Sequence, residues 1–519
     1  MQSSRSSLRR NGIANFLGGA LPMIVSLITV PLYLKHIGAE RYGVLAIVWT
    51  LQGYFGYFDF GLSTATANRI AQLSKASERE RESVFWTAFV LNALFGTLGG
   101  VILYFAGSFL FAHFHIAPSI SAEVIGSLPF IACAIPIATL TSVFVGALGG
   151  REQFGPLNAA QFAGVLIFQT VPLLAALLIA PQLQYVIRAA VLGSGVSLLI
   201  LLFVSIRAFP LRFDAPPQRR HLKPLFSYGA AIMVSNFLSP LLDSADRLMI
   251  GSILGPQPVA WYQVPFNLAT RAKILPAVFS RTLFPRLSAL PTRDAVELAV
   301  RATHALCVLI TPPIVFGIFL MQPFITLWVG HDFAVRTTSI GEIILIGVWA
   351  NALAHIPGSH LAAGGRPGIV AWFHTLQAVP LVALLWWTLH HFGLVGAAFS
   401  WTLRYVAETV LLFWAAKLGG GLARYLVLPT LLVTASFIAT VVFPPTAIAR
   451  HVCWFLMVAA SLAWALHAEP AWRKCAVREL RHILSKRFRA PRARSAFDAG
   501  MPASATPPPA SAGEPVARQ

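Results

Sequence analysis

Long apolar blocks, each near twenty residues, recur from residue 11 to residue 468, separated by short basic or Pro/Gly-containing breaks. A helix of roughly 20 apolar residues crosses the hydrocarbon core of a bilayer. Only 11% of the residues are charged and 56% are hydrophobic, whereas soluble domains carry about a quarter charged residues. The blocks do not alternate as barrel strands do, and helices satisfy their backbone groups within the segment. The expected fold is therefore all-α and integral to the membrane, with about 14 transmembrane helices. Their predicted spans are 11–34, 43–64, 84–111, 120–148, 155–180, 184–206, 225–250, 256–279, 302–329, 337–357, 368–389, 393–416, 424–443 and 449–468.

Charge placement gives the expected orientation. The formal net charge of +20 would suggest nucleic acid in a soluble protein. Here the positive charge lies in loops and tail, so nucleic acid is excluded and contact with anionic membrane lipid is expected instead. With the N-terminus in the cytoplasm and alternating loops, 32 of the 39 Lys and Arg fall on the cytoplasmic side and five outside. Arg247 and Arg404 lie within spans. An even number of spans, with both ends cytoplasmic, follows. The first apolar block is too long for a cleavable signal core and is read as the first span. Residues 469–519 are basic from Arg473 to Arg494 and then Ala/Pro/Ser-rich, which predicts a disordered cytoplasmic tail against headgroups. Cys133, Cys307, Cys453 and Cys475 show no metal-ligand spacing, and no disulfide framework is expected.

Short self-similar segments suggest a repeat. Gly149-Gly150-Arg151 follows the fourth span and Gly364-Gly365-Arg366 the tenth. Gly38 after the first span corresponds to Gly255 after the seventh, and Ala189-Ala190 to Ala397-Ala398. The offsets of 215, 217 and 208 residues predict two parallel six-helix repeats around a central cavity. The expected divisions are 1–206, a cytoplasmic linker 207–224, 225–418, two additional helices in 419–468, and the tail 469–519.

Polar residues inside spans are costly and point to function. The seventh span carries Asn236, Asp243, Asp246 and Arg247. Asp243 and Arg247 are four apart and able to pair on one helix face, either as a neutral structural pair or as part of a cavity wall. Arg404 and Glu408 have the same spacing in the twelfth span, flanked by Trp401 and Tyr405. Asp59 sits in an aromatic stretch, with Arg69 or a first-span residue as its expected partner. Asn11 and Asn15 share a face of the first span, and Asn351 and His355 a face of the tenth. Arg271 and Lys273 are read at the end of the eighth span, where they either reach the interface or face the cavity as ligands for a diphosphate. Asp59, Asp243, Asp246 and Glu408 outnumber Arg247 and Arg404 unless Arg271 and Lys273 face inward. No phosphate-binding GxxxxGK loop, HExxH or triad spacing occurs, and the predicted external loops are short. This argues against an enzyme and against an intrinsic ATPase.

The stretch from Tyr33 to Gly43, with Ile37-Gly38-Ala39-Glu40-Arg41-Tyr42-Gly43, is followed by Asp59-Phe60-Gly61-Leu62 and then Asn68-Arg69-Ile70-Ala71. This string resembles the polysaccharide-transporter, or O-antigen flippase, family of the multidrug/oligosaccharidyl-lipid/polysaccharide exporter superfamily. The resemblance implies a bacterial inner-membrane flippase for undecaprenyl-diphosphate-linked oligosaccharide, working by alternating access. It implies no cofactor, leaves proton or sodium coupling open, and suggests a polysaccharide polymerase and a chain-length regulator as partners. An ion-coupled multidrug exporter, a glycan-assembly enzyme and a scaffold are the alternative readings.

Overall fold

The computed structural model describes residues 2–55, 59, 61–73, 77–112, 118–209, 216–222, 225 and 242–469. Among them the chain is helical, without strands. The helices are α1 (Gln2–Phe55), α2 (Leu62–Gln72), α3 (Glu78–Ala112), α4 (Pro118–Ile125), α5 (Leu128–Gly150), α6 (Phe154–Leu178) and α7 (Leu183–Ala208). Then come α8 (242–253), α9 (Pro256–Thr270), α10 (Ile274–Ala289), α11 (Thr292–Trp328), α12 (His331–Ala363), α13 (Pro367–Ala415), α14 (Gly419–Val442) and α15 (Ile448–Ala468). Nine helices among the described residues are long and apolar enough to cross a membrane. The first and second spans are joined in α1, which breaks at Gly38; the eleventh and twelfth are joined in α13, which breaks at Gly393. The fold is an all-α membrane bundle of about 14 spans. Asn236 and the tail from 470 onward, including Cys475, lie outside the described residues.

Two predicted boundaries need correction. The eighth span does not stop at 279: α9 passes through a 3-10 turn at Arg271–Lys273 into α10, which ends at Ala289. Arg271 and Lys273 therefore lie inside a bent helical segment and not at its end. The ninth helix begins at Thr292, not 302. Its first turns are polar, with Arg301 paired to Glu297 at 3.1 Å. Hydropathy marks where a helix enters lipid, while its hydrogen-bond ladder runs on into water.

The repeat-like turns have matching geometry, in a shifted register. Gly38 (φ 79°, ψ 164°) and Gly255 (φ 92°, ψ 176°) adopt nearly the same backbone. The turn after the fourth span has the N–H groups of Arg151, Glu152 and Gln153 donating to the carbonyls of Ala147, Gly149 and Leu148. After the tenth, Gly364, Gly365 and Arg366 donate to His360, Ala362 and Leu361. The equivalent of Gly365 is thus Glu152, and the offset is 213 residues instead of 215. Both are left-handed, at φ 75° and 58°. The shared Gly-Gly-Arg letters serve different ends. Gly365 makes the turn, whereas Gly150 lies against Ala67, whose carbonyl oxygen would be 2.5 Å from an added Cβ.

Packing is unequal at the two ends of the bundle. Residues 1–465 form one compact unit, and 466–519 a second; only 466–469 of the second are described. One buried apolar cluster runs through α1, α5, α7, α9, α11, α12 and α13, bringing together Tyr33, Tyr42, Leu45, Val259 and Tyr262. At the opposite end, towards Arg151 and Arg366, there are two separate clusters. One contains Leu62, Phe85, Phe144 and Leu148, the other Leu287, Leu306, Leu361 and Leu412. Among the described residues the two six-helix sets therefore share a core at the Gly38 end only. At Gly43 the approach is backbone on backbone, since an added Cβ would stand 1.7 Å from the Pro256 carbonyl oxygen.

The Gly38 end carries a polar clasp. Arg41 donates twice to Glu123, at 2.7 and 3.1 Å, and Glu123 accepts the Leu183 N–H at 2.7 Å. The hydrogen bond to Glu123 raises the Arg41 pKa further. At the opposite end His221 is buried. Burial, followed by Arg220 and Arg69, lowers its imidazole pKa.

The last two helices are fastened by a buried pair. Arg450 of α15 donates to Glu342 of α12 at 3.4 Å and to the Thr440 carbonyl at 3.2 Å, and the Thr440 hydroxyl donates to Glu342 at 3.0 Å. Arg450→Ala should lower stability by about 3–5 kcal/mol, the usual cost of orphaning a buried charge. Arg450→Met with Glu342→Leu should recover most of it, as read by thermal unfolding in detergent. Equal loss in both variants would contradict this account.

Candidate functional site

A chain of polar contacts crosses the interior of the second helix set. Asp243 of α8 accepts Arg404 at 2.7 Å and the Tyr405 hydroxyl at 2.6 Å on the same oxygen. Lys273 donates to the Tyr405 hydroxyl at 3.0 Å and lies over the rings of Tyr405 and Trp401, 4.5 and 5.2 Å from their centroids. Arg404 approaches Glu408 at 3.8 Å, and Glu408 meets His374 of α13 at 3.1 Å. Counting from the break at Gly393, Arg404 stands about 16 Å along its helix at 1.5 Å per residue, near the middle of a ~30 Å core. Its side chain is 3% exposed, while that of Asp243 is 35% exposed. The network thus has one face open.

These partners correct the sequence expectation. Asp243 is not paired with Arg247 on its own helix; it is paired with Arg404, 161 residues away. The Arg247 guanidinium sits 4.0 Å over the Phe266 ring, and its Nε has no hydrogen-bond partner among the described residues. Asp246 accepts the Tyr262 hydroxyl at 2.6 Å and the Arg247 N–H at 2.8 Å. Arg271 reaches across to α1 and donates to Ser26 at 3.3 Å, beside Trp328, whose indole donates to the Leu27 carbonyl at 2.6 Å.

Other expected site residues have local duties. Among the described residues Asp59 pairs with neither Arg69 nor a first-span group; its carboxylate accepts the N–H groups of Gly61 and Ser63 at 2.9 and 3.2 Å. It thereby caps α2, where a carboxylate also meets the positive end of the helix dipole. Arg69 donates to Gln72 at 3.2 Å. His355 bonds the Asn351 carbonyl of its own helix at 2.9 Å, while the buried Asn351 Oδ1 lacks a hydrogen-bond partner. Asn11 and Asn15 lie on α1, and their side chains are outside the described residues.

Counting Arg271 and Lys273 on their interior partners and leaving out the cap Asp59 reverses the balance. Arg247, Arg271, Lys273 and Arg404 are four cations against Asp243, Asp246 and Glu408. Three of the cations, Arg247, Lys273 and Arg404, rest on aromatic rings, which hold a guanidinium or ammonium without neutralising it. Such a set can receive an anion. Sequence reasoning missed His374 and Tyr262, although His374 and Gln377 are conspicuous polar residues in an apolar block.

It also missed a cavity in the first helix set. About 830 Å³ in volume, the cavity lies between α1, α5, α6 and α7. Trp49, Phe162 and Phe168 form part of its wall, and Gln52, Asn158 and Gln161 supply amides. No Asp, Glu, Lys, Arg or His lines it among the described residues. The detectable signal was Asn158 and Gln161, three apart at the start of an apolar span.

Comparisons with known proteins agree with this architecture. A Shigella flexneri protein named as an O-antigen transporter is 29% identical over 417 residues, 79% of this chain and 97% of its own. The teichuronic acid biosynthesis protein TuaB of Bacillus subtilis is 24% identical over 314 residues, 59% of this chain and 61% of its own. Among solved structures, the lipid II flippase MurJ in an inward closed conformation superposes with a TM-score of 0.68 at 15% identity, covering 88% of this chain and 98% of that one. An inward-facing multidrug MATE transporter gives 0.61 at 15% identity, covering 80% and 99%. The profile of the polysaccharide biosynthesis protein family matches residues 8–290, more than half of the chain, and this multi-pass membrane protein belongs to that family.

Proposed function

We propose that the chain is a flippase that moves an undecaprenyl-diphosphate-linked oligosaccharide from the cytoplasmic to the periplasmic leaflet of a bacterial inner membrane. The observation that carries this reading is the excess of cations, Arg247, Arg271, Lys273 and Arg404, over Asp243, Asp246 and Glu408 in the second helix set, with aromatic rings behind three of the four, in a bundle whose helix sets share a core at one end only. A diphosphate headgroup is very costly to move through lipid. A cavity open to the cytoplasm, with the Gly38 end sealed on the periplasmic side, would receive that headgroup while the prenyl tail stays in lipid. The two moving bodies in this reading are 1–206 and 225–418, with both termini cytoplasmic. The name of the Shigella relative and the fold shared with MurJ favour the same substrate class. A cation-exporting role is disfavoured, because the cavity of the first set has no carboxylate among its described lining residues. Energy would come from a proton or sodium gradient, and a polymerase would take the exported unit.

In a deletion strain, lipid-linked repeat units should accumulate on the cytoplasmic leaflet, as read by the accessibility of the glycan to an impermeant lectin in oriented vesicles. Lys273→Ala with Arg271→Ala should reproduce this accumulation at normal protein level. Normal leaflet distribution in the deletion strain would overturn the proposal.

A further inference from the structure

The cation cluster accounts for a diphosphate but not for the sugars attached to it. We infer that the neutral cavity between α1, α5, α6 and α7 is the glycan subsite, so that each helix set holds a different part of one substrate. This rests on the flippase reading and extends it to residues that reading does not use.

Three features of the cavity select for a neutral, hydroxyl-rich ligand. First, its described lining has no ionisable acid or base, so neither a phosphate nor an ammonium group finds a partner there. Second, its polar groups are the kind that match hydroxyls. Gln52, Asn158 and Gln161 are amides, each with donor and acceptor ends, and a sugar hydroxyl needs both. The hydroxyls of Thr141, Ser194 and Ser197 donate to their own helices, which leaves their lone pairs to accept. Third, the aromatic wall is fixed in place. Trp49 meets Tyr33 edge-on at 5.8 Å and Phe168 at 5.7 Å, and Tyr33 is itself tied to the Gln169 carbonyl at 3.1 Å. Rigid aromatic faces suit the apolar C–H faces of pyranose rings.

Two buried atoms point the same way. Trp49 Nε1 and Gln52 Oε1, one helical turn apart, have no hydrogen-bond partner among the described residues. Unsatisfied buried polar atoms are destabilising unless a ligand or water meets them. The volume of about 830 Å³ is at the upper part of the roughly 300–1,000 Å³ range of ligand pockets, which suits several sugar rings.

The subsite also assigns a role to the substrate. The cavity belongs to α1 and α5–α7, and the cations belong to α8–α13. A ligand with a diphosphate on one set and sugars on the other bridges both. Its binding would favour the state in which the two sets approach at their open end, since a ligand shifts an equilibrium only by binding one state better.

The test compares two probes on the full chain in nanodiscs: undecaprenyl diphosphate, and the same lipid carrying a neutral trisaccharide. The trisaccharide probe should bind more tightly. Asn158→Ala with Gln161→Ala, at part-exposed positions where alanine keeps the helix, should weaken the trisaccharide probe by about tenfold and leave undecaprenyl diphosphate unchanged, as expected for two hydrogen bonds of ordinary strength. Trp49→Phe should act in the same direction. Equal weakening of both probes, or an undiminished gain from the sugars, would overturn the assignment. Failure of the unaltered protein to bind either probe would instead overturn the flippase reading beneath it.

Discussion

Arg404→Ala is expected to lower transport by about a hundredfold or more and to destabilise the protein by about 3–5 kcal/mol. Arg404 is almost wholly buried and contacts both Asp243 and Glu408, at 2.7 and 3.8 Å. Without it, two carboxylates are left inside the membrane facing only Tyr405, His374 and the more distant Lys273. A loss of about 3 kcal/mol in transition-state or binding energy corresponds to roughly a hundredfold, at 1.4 kcal/mol per tenfold. Stability and function can be separated by a neutral replacement of the whole group. Arg404→Leu combined with Asp243→Asn and Glu408→Gln removes the orphaned charges together, so it should regain most of the thermal stability while transport stays lost. Recovery of transport in this triple variant would show that the network only holds the helices together. Arg404→Lys keeps the charge but not the fork geometry that serves two carboxylates at once, and should fall between wild type and alanine in both assays.

Gly43→Val should unseat the seam between the two helix sets. The Pro256 carbonyl oxygen lies 1.7 Å and its carbon 2.5 Å from where a Cβ would stand. Both are backbone atoms, so no rotamer change relieves the contact, and α1 and α9 must separate. Packed cores respond to such a wedge by shifting between discrete arrangements rather than yielding locally. The expected result is a protein present in the membrane but open at the Gly38 end. A reporter cysteine at Asn267, beside Ser26 and Arg271 at the seam, in a background with Cys133, Cys307, Cys453 and Cys475 replaced by alanine, should react with an impermeant maleimide about tenfold faster from the periplasm. Tenfold corresponds to a bias of about 1.4 kcal/mol between the closed and open states. Unchanged labelling together with unchanged transport would mean that α1 and α9 do not form the outer seal.

Both expectations depend on contacts that no local pattern announces. The i,i+4 spacing of Asp243 and Arg247 is a sound rule for an isolated helix, yet the carboxylate is bound by Arg404 and Tyr405 from a helix 161 and 162 residues on. Arg247 instead found the Phe266 ring. Asp59 looked like an unpaired charge within a span, but two backbone N–H groups two and four residues ahead satisfy it. Arg271 and Lys273 looked terminal because hydropathy falls there; the helix bends through a 3-10 turn and carries them inward. The Gly-Gly-Arg repeat was found at the right loops but two residues out of register, because Gly150 answers to a neighbouring helix and Gly365 to its own turn. The amides of the neutral cavity were visible as letters, but the packing of α1 against α6 brings Gln52 to the same space as Asn158 and Gln161.

The sequence by itself determined that this chain is a many-spanned helical membrane protein, and where most of its helices lie. Transfer of an apolar segment into lipid depends on the segment's own side chains and backbone, so hydropathy is enough. The motif from Tyr33 to Ala71 placed it beside the polysaccharide transporters; within it Gly38 and Asp59 serve a turn and a cap near their own position, whereas Arg41 and Gly43 meet Glu123 and Pro256 far along the chain. The tertiary structure alone decided which charges meet, which rings back the cations, and where the empty space lies. Those outcomes are set by distances between helices far apart in the chain, and a buried charge takes whatever partner the packing delivers.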